Sequence, residues 1–313
     1  MHSIAFVTNT ALLLVGVGLC LSTSAEENTV RSTRGPEGHR MIVIGGAIFT
    51  MGSPPNERGR SDDENQHLVR IPRTFAIATK EVTVKQFGRF LSENREFETR
   101  FKSATAARFG DPPRLALAPN SPQVAVSWYD AARYCNWLSA KDGIPKSQWV
   151  YPDTIDSERG IDLAPGYLYR TGYRLPTEAE WEFAARAGTT SARYFGDDDK
   201  DLGKYAWYDA NSKDLRSHPV GQLRPNRWGL YDMLGNVWEW TLDRRKAYPI
   251  GSELTEDSED TELHVSNDIA RTRRGGSFSY EWFTVRSAHR GATTYFPNQT
   301  RDSVGFRVAR TVR

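Results

Sequence analysis

The sequence predicts one compact α+β domain of low regular content, on three observations. First, Thr83-x-x-Gln86, Ser127-x-x-Asp130 and Thr177-x-x-Glu180 are helix-start patterns, each followed by a short amphipathic run. Second, residues 41–51, 67–71, 272–278 and 305–308 read as short strands. Third, glycine- and proline-rich connections separate these segments, and no internal repeat or linker marks a second domain.

Composition agrees with a folded, water-facing chain. Charged residues make up 26% of 313, and aromatic residues 12% with nine tryptophans, which supply core-forming bulk. Mean hydropathy is −0.60. A net charge of +2 gives no electrostatic case for nucleic acid or an anionic membrane. The late arginines (Arg271, Arg273, Arg274, Arg286, Arg290, Arg301, Arg307, Arg310) interleave with acids, which favours ion pairs over a free anion-binding patch.

In chain order, residues 11–21 form an apolar run of signal-peptide length, too short to span a bilayer. Thr23 and Ala25 suit a cut before Glu26, so residues 1–25 are read as a signal peptide and the protein as secreted or periplasmic. No membrane contact is expected beyond that segment. Residues 26–39 are polar and read as an unstructured lead-in to a domain over 40–313. Removal of Cys20 with the leader would leave Cys135 as the one thiol, on the apolar stripe Trp128, Ala131, Ala132, Cys135, Leu138 of the second helix. Residues 142–170 lack periodicity and read as a surface excursion, and 252–262 as a solvated acidic loop. Glu178, Glu180 and Glu182 fall at the start of the third helix, where negative charge is favoured by the helix dipole.

Asn226 to Trp240 (N-R-W-G-L-Y-D-M-L-G-N-V-W-E-W) fits neither helical nor strand periodicity. It reads as a tight core turn in which glycines bring carbonyls and acids together and indoles hold them. Calcium takes six to eight hard oxygens, a need that such a turn with Asp232 and Glu239 can help to meet. The competing reading pairs Glu239 with an arginine and lets Asp232 accept backbone N–H groups. The six histidines show no i, i+4 pair or zinc-type spacing, and no P-loop, dinucleotide, nucleophile-elbow or kinase motif is present.

The same stretch resembles the signature of the formylglycine-generating-enzyme (sulfatase-modifying-factor) family. Further matches are Gly172-Tyr173-Arg174-Leu175-Pro176-Thr177-Glu178-Ala179-Glu180-Trp181-Glu182, Arg274-Gly275-Gly276-Ser277 and Gly305-Phe306-Arg307. Phe49-Thr50-Met51-Gly52-Ser53 and Lys80-Glu81-Val82-Thr83 add two near the start. The resemblance implies a variant of the C-type-lectin fold. It implies a calcium held by the side chains of Asp232 and Glu239 and the carbonyls of Gly235 and Val237. Active members of the resembled family hold Cu(I) with two cysteines shortly after R-G-G-S; here Phe278 to Arg286 contains none, so copper-dependent cysteine oxidation is disfavoured. A non-catalytic module binding an extended peptide or protein is expected instead, with Tyr280, Trp282, Phe283, Arg286 and Arg290 lining the groove that active relatives use. The alternatives are a cysteine-independent oxidase or modifying enzyme of the same fold with Glu281 as general base, and a calcium-stabilised ligand-display scaffold of lectin type.

Overall fold

A computed structural model describes residues 31–110, 118–251, 253–291 and 294–313. The signal peptide expected over 1–25 lies outside these residues. In chain order the strands are β1 (Arg31–Arg34), β2 (Arg40–Ile44), β3 (Ala47–Met51), β4 (His67–Ile71), β5 (Phe75–Ala78), β6 (Ile161–Asp162) and β7 (Tyr173–Arg174). There follow β8 (Trp238–Arg244), β9 (Leu254–Glu256), β10 (His264–Val265), β11 (Arg271–Arg274), β12 (Val304–Gly305) and β13 (Ala309–Thr311). The helices are α1 (Val84–Glu93), α2 (Arg95–Phe109), α3 (Trp128–Lys141) and α4 (Glu178–Arg186).

An antiparallel sheet in the order β1-β2-β5-β13-β7 divides the core into two layers. Successive strand residues point to opposite faces. Met41 and Val43 accordingly join Ala76 and Ala78 against α1 and α3, and Ile42 and Ile44 join Phe75 and Ile77 against α4. Burial on both faces explains why Met41 to Ile44 is continuously apolar. Two three-stranded sheets, β11-β8-β12 and β3-β4-β9, and the pair β10-β6 complete the architecture.

All three helix-start patterns cap helices. Thr83, Ser127 and Thr177 accept from the backbone N–H of Gln86, Asp130 and Glu180, whose side chains reach back to the N-cap backbone. Cys135 is fully buried on α3, and burial pushes its thiol up well above the ordinary range.

Several expectations are corrected. The strand expected over 41–51, with Gly45-Gly46 as a turn or bulge within it, is two strands, because the chain turns at those glycines, leaves the first sheet and joins another. The lead-in expected over 26–39 is structured from Arg31 onward, since β1 pairs with β2 from Arg31↔Val43 to Arg34↔Arg40. The stretch 142–170 is no mere surface excursion: Val150, Tyr151, Ile161, Leu163, Tyr167 and Leu168 are buried in the core. The acidic loop is anchored rather than free. The Asp257 carboxylate takes Arg73 and the Thr177 hydroxyl (2.8 Å), and Glu259 accepts from the backbone of Gly166 and Leu168.

The three acids of α4 do more than complement the helix dipole. Each is buried and paired with two arginines: Glu178 with Arg274 and Arg290, Glu180 with Arg73 and Arg174, Glu182 with Arg186 and Arg274. Burial alone would raise the Glu180 carboxyl, but the Arg174 and Arg73 guanidiniums hold it down to about 2. Removing one partner strands a buried cation, which costs about 3–5 kcal/mol. Glu180→Ala is therefore expected to lower unfolding stability by about that amount, read from the urea midpoint; a loss below about 1 kcal/mol would contradict the pairing.

Candidate functional site

The central turn and the R-G-G-S segment form one unit. Within Asn226–Trp240, Gly229, Asp232, Gly235 and Asn236 all have positive φ, which produces the irregular path. A Cβ on Gly235 would lie 2.2 Å from the Trp207 carbonyl oxygen, so that position admits glycine alone. The Gly235 N–H donates to the Gly275 carbonyl (2.8 Å), and the Phe278 N–H returns to Asn236 (2.8 Å). The turn thus fixes where the chain leaves β11 and enters the 278–284 loop.

Asp232, Gly235, Val237 and Glu239 are brought together by this turn, but their chemistry differs from the implied calcium set. Both Glu239 oxygens are committed: Arg307 donates to each at 2.6 Å, and Trp181 Nε1 to Oε2 at 2.7 Å. The arginine-paired alternative for Glu239 therefore describes its geometry. Asp232 accepts from the Gly221 N–H at 2.6 Å, again as the alternative has it. The residue that sequence reading missed is Glu81, which had appeared only as part of K-E-V-T. It is 1% exposed, accepts from Asn236 Nδ2 through Oε1 (3.0 Å), and faces Asp232, with which its carboxyl shares a hydrogen bond. Burial, then the nearby charges of Asp232 and Glu239, push the Glu81 carboxyl well above its usual range; burial likewise lifts Asp232 to about 6.

The expected groove residues separate into two groups. Arg286 and Arg290 are not available as ligand anchors. Both are buried, Arg286 clamped by Glu57 and Glu64 (2.8 Å) and Arg290 bidentate on Glu178 (2.7 and 3.0 Å). Their role is to hold the loop from behind. Tyr280, Trp282 and Phe283 remain partly exposed. Trp282 borders a cleft of about 510 Å³ together with Glu57, Arg58, Arg193 and Asp199. Arg58 lies over its ring at 4.1 Å. Glu281 is exposed, and its side chain makes no hydrogen bond among the described residues, so no neighbour orients it as a base.

Beside Tyr280 the structure brings together groups that sequence reading did not single out. Tyr280 meets Trp238 edge-on at 5.4 Å. The guanidinium of Arg273 sits 5.1 Å from Trp238 and 3.1 Å from Tyr295, measured to ring centroids. Arg273 is 2% exposed, and its Nε and Nη1, like Trp238 Nε1, are buried donors without partners. Burial lowers the Arg273 guanidinium to about 10. These three unmet donors lie beside the half-buried rings of Tyr280 and Tyr295. Among the described residues no three His, Cys, Asp or Glu side chains converge as a metal-binding group, and no helix is long and apolar enough to cross a membrane.

The raised carboxyl of Asp232 sets a pH dependence. The folded state keeps the proton up to about pH 6, the unfolded chain only to about pH 4. Stability from this group is full below about pH 4 and is lost as pH rises through about 6. The thermal midpoint of the wild type is expected to fall relative to Asp232→Asn across that window; a constant difference would contradict the assignment.

Comparison with known proteins places this geometry. The family model for the sulfatase-modifying factor enzyme 1-like domain matches residues 26–312. The formylglycine-generating enzyme of Mycobacterium tuberculosis is 29% identical over 272 residues, covering 76% of this chain and 86% of that protein. The serine/threonine-protein kinase pkn1 of Chlamydia pneumoniae is 28% identical over 284 residues, covering 87% of this chain; the chain spans only 38% of that kinase. Among solved structures, PvdO from Pseudomonas aeruginosa superposes with a TM-score of 0.64 at 26% identity, over 90% of this chain and 98% of PvdO. Because the family model covers most of its length, the chain belongs to the sulfatase-modifying factor enzyme 1-like family.

Proposed function

We propose that this protein is an exported sulfatase-modifying-factor-domain protein that binds an extended peptide or protein segment and does not carry out copper-dependent formylglycine generation. The observation that supports this reading is the loop after R-G-G-S. It carries Tyr280 next to the unpartnered donors of Arg273 and Trp238, Trp282 at the neighbouring cleft, and no thiol. The one cysteine among the described residues, Cys135, is sealed in the α3 core. A soft two-thiolate site for Cu(I) has no counterpart in that segment. Tyr280 and Trp282 supply flat contact area at low entropic cost, and the buried donors select for backbone carbonyls or a carboxylate.

Calcium at the central turn is a structural part of this proposal. Its ligands would be the facing carboxyls of Asp232 and Glu81, with backbone carbonyls of the turn, rather than Glu239, whose oxygens Arg307 and Trp181 occupy. A cation there would supply the charge that two adjacent buried carboxyls lack.

An anisotropy screen of labelled peptides, with and without a calcium chelator, tests both parts. Binding is expected, weakened about tenfold or more by Trp282→Ala, and calcium is expected to raise the thermal midpoint of the wild type but not of Glu81→Gln. With a sulfatase-derived cysteine peptide, Cu(I) and O₂, no aldehyde is expected. Copper-dependent aldehyde formation would overturn the reading.

A further inference from the structure

A second cleft, of about 700 Å³, opens where α1, α2 and α3 meet the segment after α3. Its apolar walls are Phe97, Trp137 and Trp149. On its floor Asn136 is 6% exposed; its Nδ2 donates to the carbonyls of Tyr151 (3.4 Å) and Pro152 (2.8 Å), and its Oδ1 is buried with no donor. An unmet buried acceptor lining a cleft asks for a ligand O–H or N–H.

The same cleft carries positive potential. The fifteen-residue α2 begins inside it, and its first turn lacks a side-chain cap, because Asn94 turns its Nδ2 back onto the Phe90 carbonyl (2.7 Å). The free N–H groups of a helix start attract anions. Arg100, one turn on, is exposed and has no carboxylate partner among the described residues. Arg133 stands near it, and both guanidiniums lie over Phe97, at 5.4 and 5.2 Å. Arg133 is already satisfied by Asp130 and the Ile155 carbonyl. Of the acids nearby, Asp153 pairs with Lys146 (2.5 Å) and Glu98 with Arg95 and Lys102, which leaves Glu96, in the first turn of α2, as the opposing charge.

We propose that this cleft binds an acidic sugar residue. The C–H face of the ring stacks on Trp137 and Trp149, a hydroxyl donates to Asn136 Oδ1, and the carboxylate sits between Arg100 and the open start of α2. Flat indoles, one buried acceptor and one unpaired cation together complement a molecule with a flat apolar face, hydroxyl donors and an anionic group. A neutral sugar would leave Arg100 unused, and an apolar peptide side chain would leave Asn136 unsatisfied.

The test is titration of the full chain with trigalacturonate, with maltotriose as the neutral counterpart and an acidic tyrosine-containing peptide as the alternative source of a carboxylate. Tryptophan fluorescence and saturation-transfer NMR give the readout. Trigalacturonate is expected to bind, more weakly as salt rises, and Arg100→Gln to weaken it roughly tenfold without changing the thermal midpoint, since a charge-assisted hydrogen bond is worth about 1.5–3 kcal/mol. Trp282→Ala, at the other cleft, should leave this binding unchanged. Absence of trigalacturonate binding, equal binding of maltotriose, insensitivity to Arg100→Gln, or preference for the peptide would each overturn the assignment.

Discussion

The structure depends on buried arginines meeting the three acids at the start of α4. Arg73 arrives from the turn between β4 and β5, Arg174 from β7, Arg274 from β11 and Arg290 from the late loop, and all converge on Glu178, Glu180 and Glu182. A chain with low regular content lacks long ladders to fix the relation of its parts. Bidentate guanidinium–carboxylate pairs supply direction as well as attraction. Such pairs add little net stability over an apolar packing of equal volume, since each charge must be desolvated. Their contribution is direction: each bidentate pair fixes how the segments that carry it approach α4.

That constraint reaches the loop face. Arg286 on Glu64 and Arg290 on Glu178 pin the back of the 278–290 segment, while Glu239 and Arg307 pin the turn beneath it. The side chains left at the front, Tyr280, Trp282 and Phe283, sit on a pinned base, which would reduce the ordering cost of the binding proposed above. Arginines that look like ligand anchors in the sequence are therefore the struts of the site, and the unmet donors belong to Arg273, one residue before the arginine of R-G-G-S.

Much of this was legible in the residues. The helix-start patterns located α1, α3 and α4 because capping is a local interaction between residues three apart. The family signature located the fold because its segments are the charge network itself: the motif acids Glu178, Glu180, Glu182 and Glu239 find their partners in motif arginines such as Arg174, Arg274 and Arg307. Other features escaped for physical reasons. The helix α2 has no buried residue and no side-chain cap, so it offers neither an apolar stripe nor a start signal. Glu81 joins Asp232 only through tertiary packing across 151 positions, so the pairing is invisible to any spacing rule. The acids of 252–262 looked solvated because their partners, Arg73 and Thr177, lie far away in sequence.

The most direct measurement of the network is a double-mutant cycle on Glu178 and Arg290, using Glu178→Gln and Arg290→Gln and reading stability by urea unfolding. The account predicts a coupling energy of about 2 kcal/mol or more, because each single change deprives a buried charge of a partner and the double change removes both charges. Additivity within about 0.5 kcal/mol would show that the pair acts independently and would contradict the claim that these charges hold the segments in one arrangement.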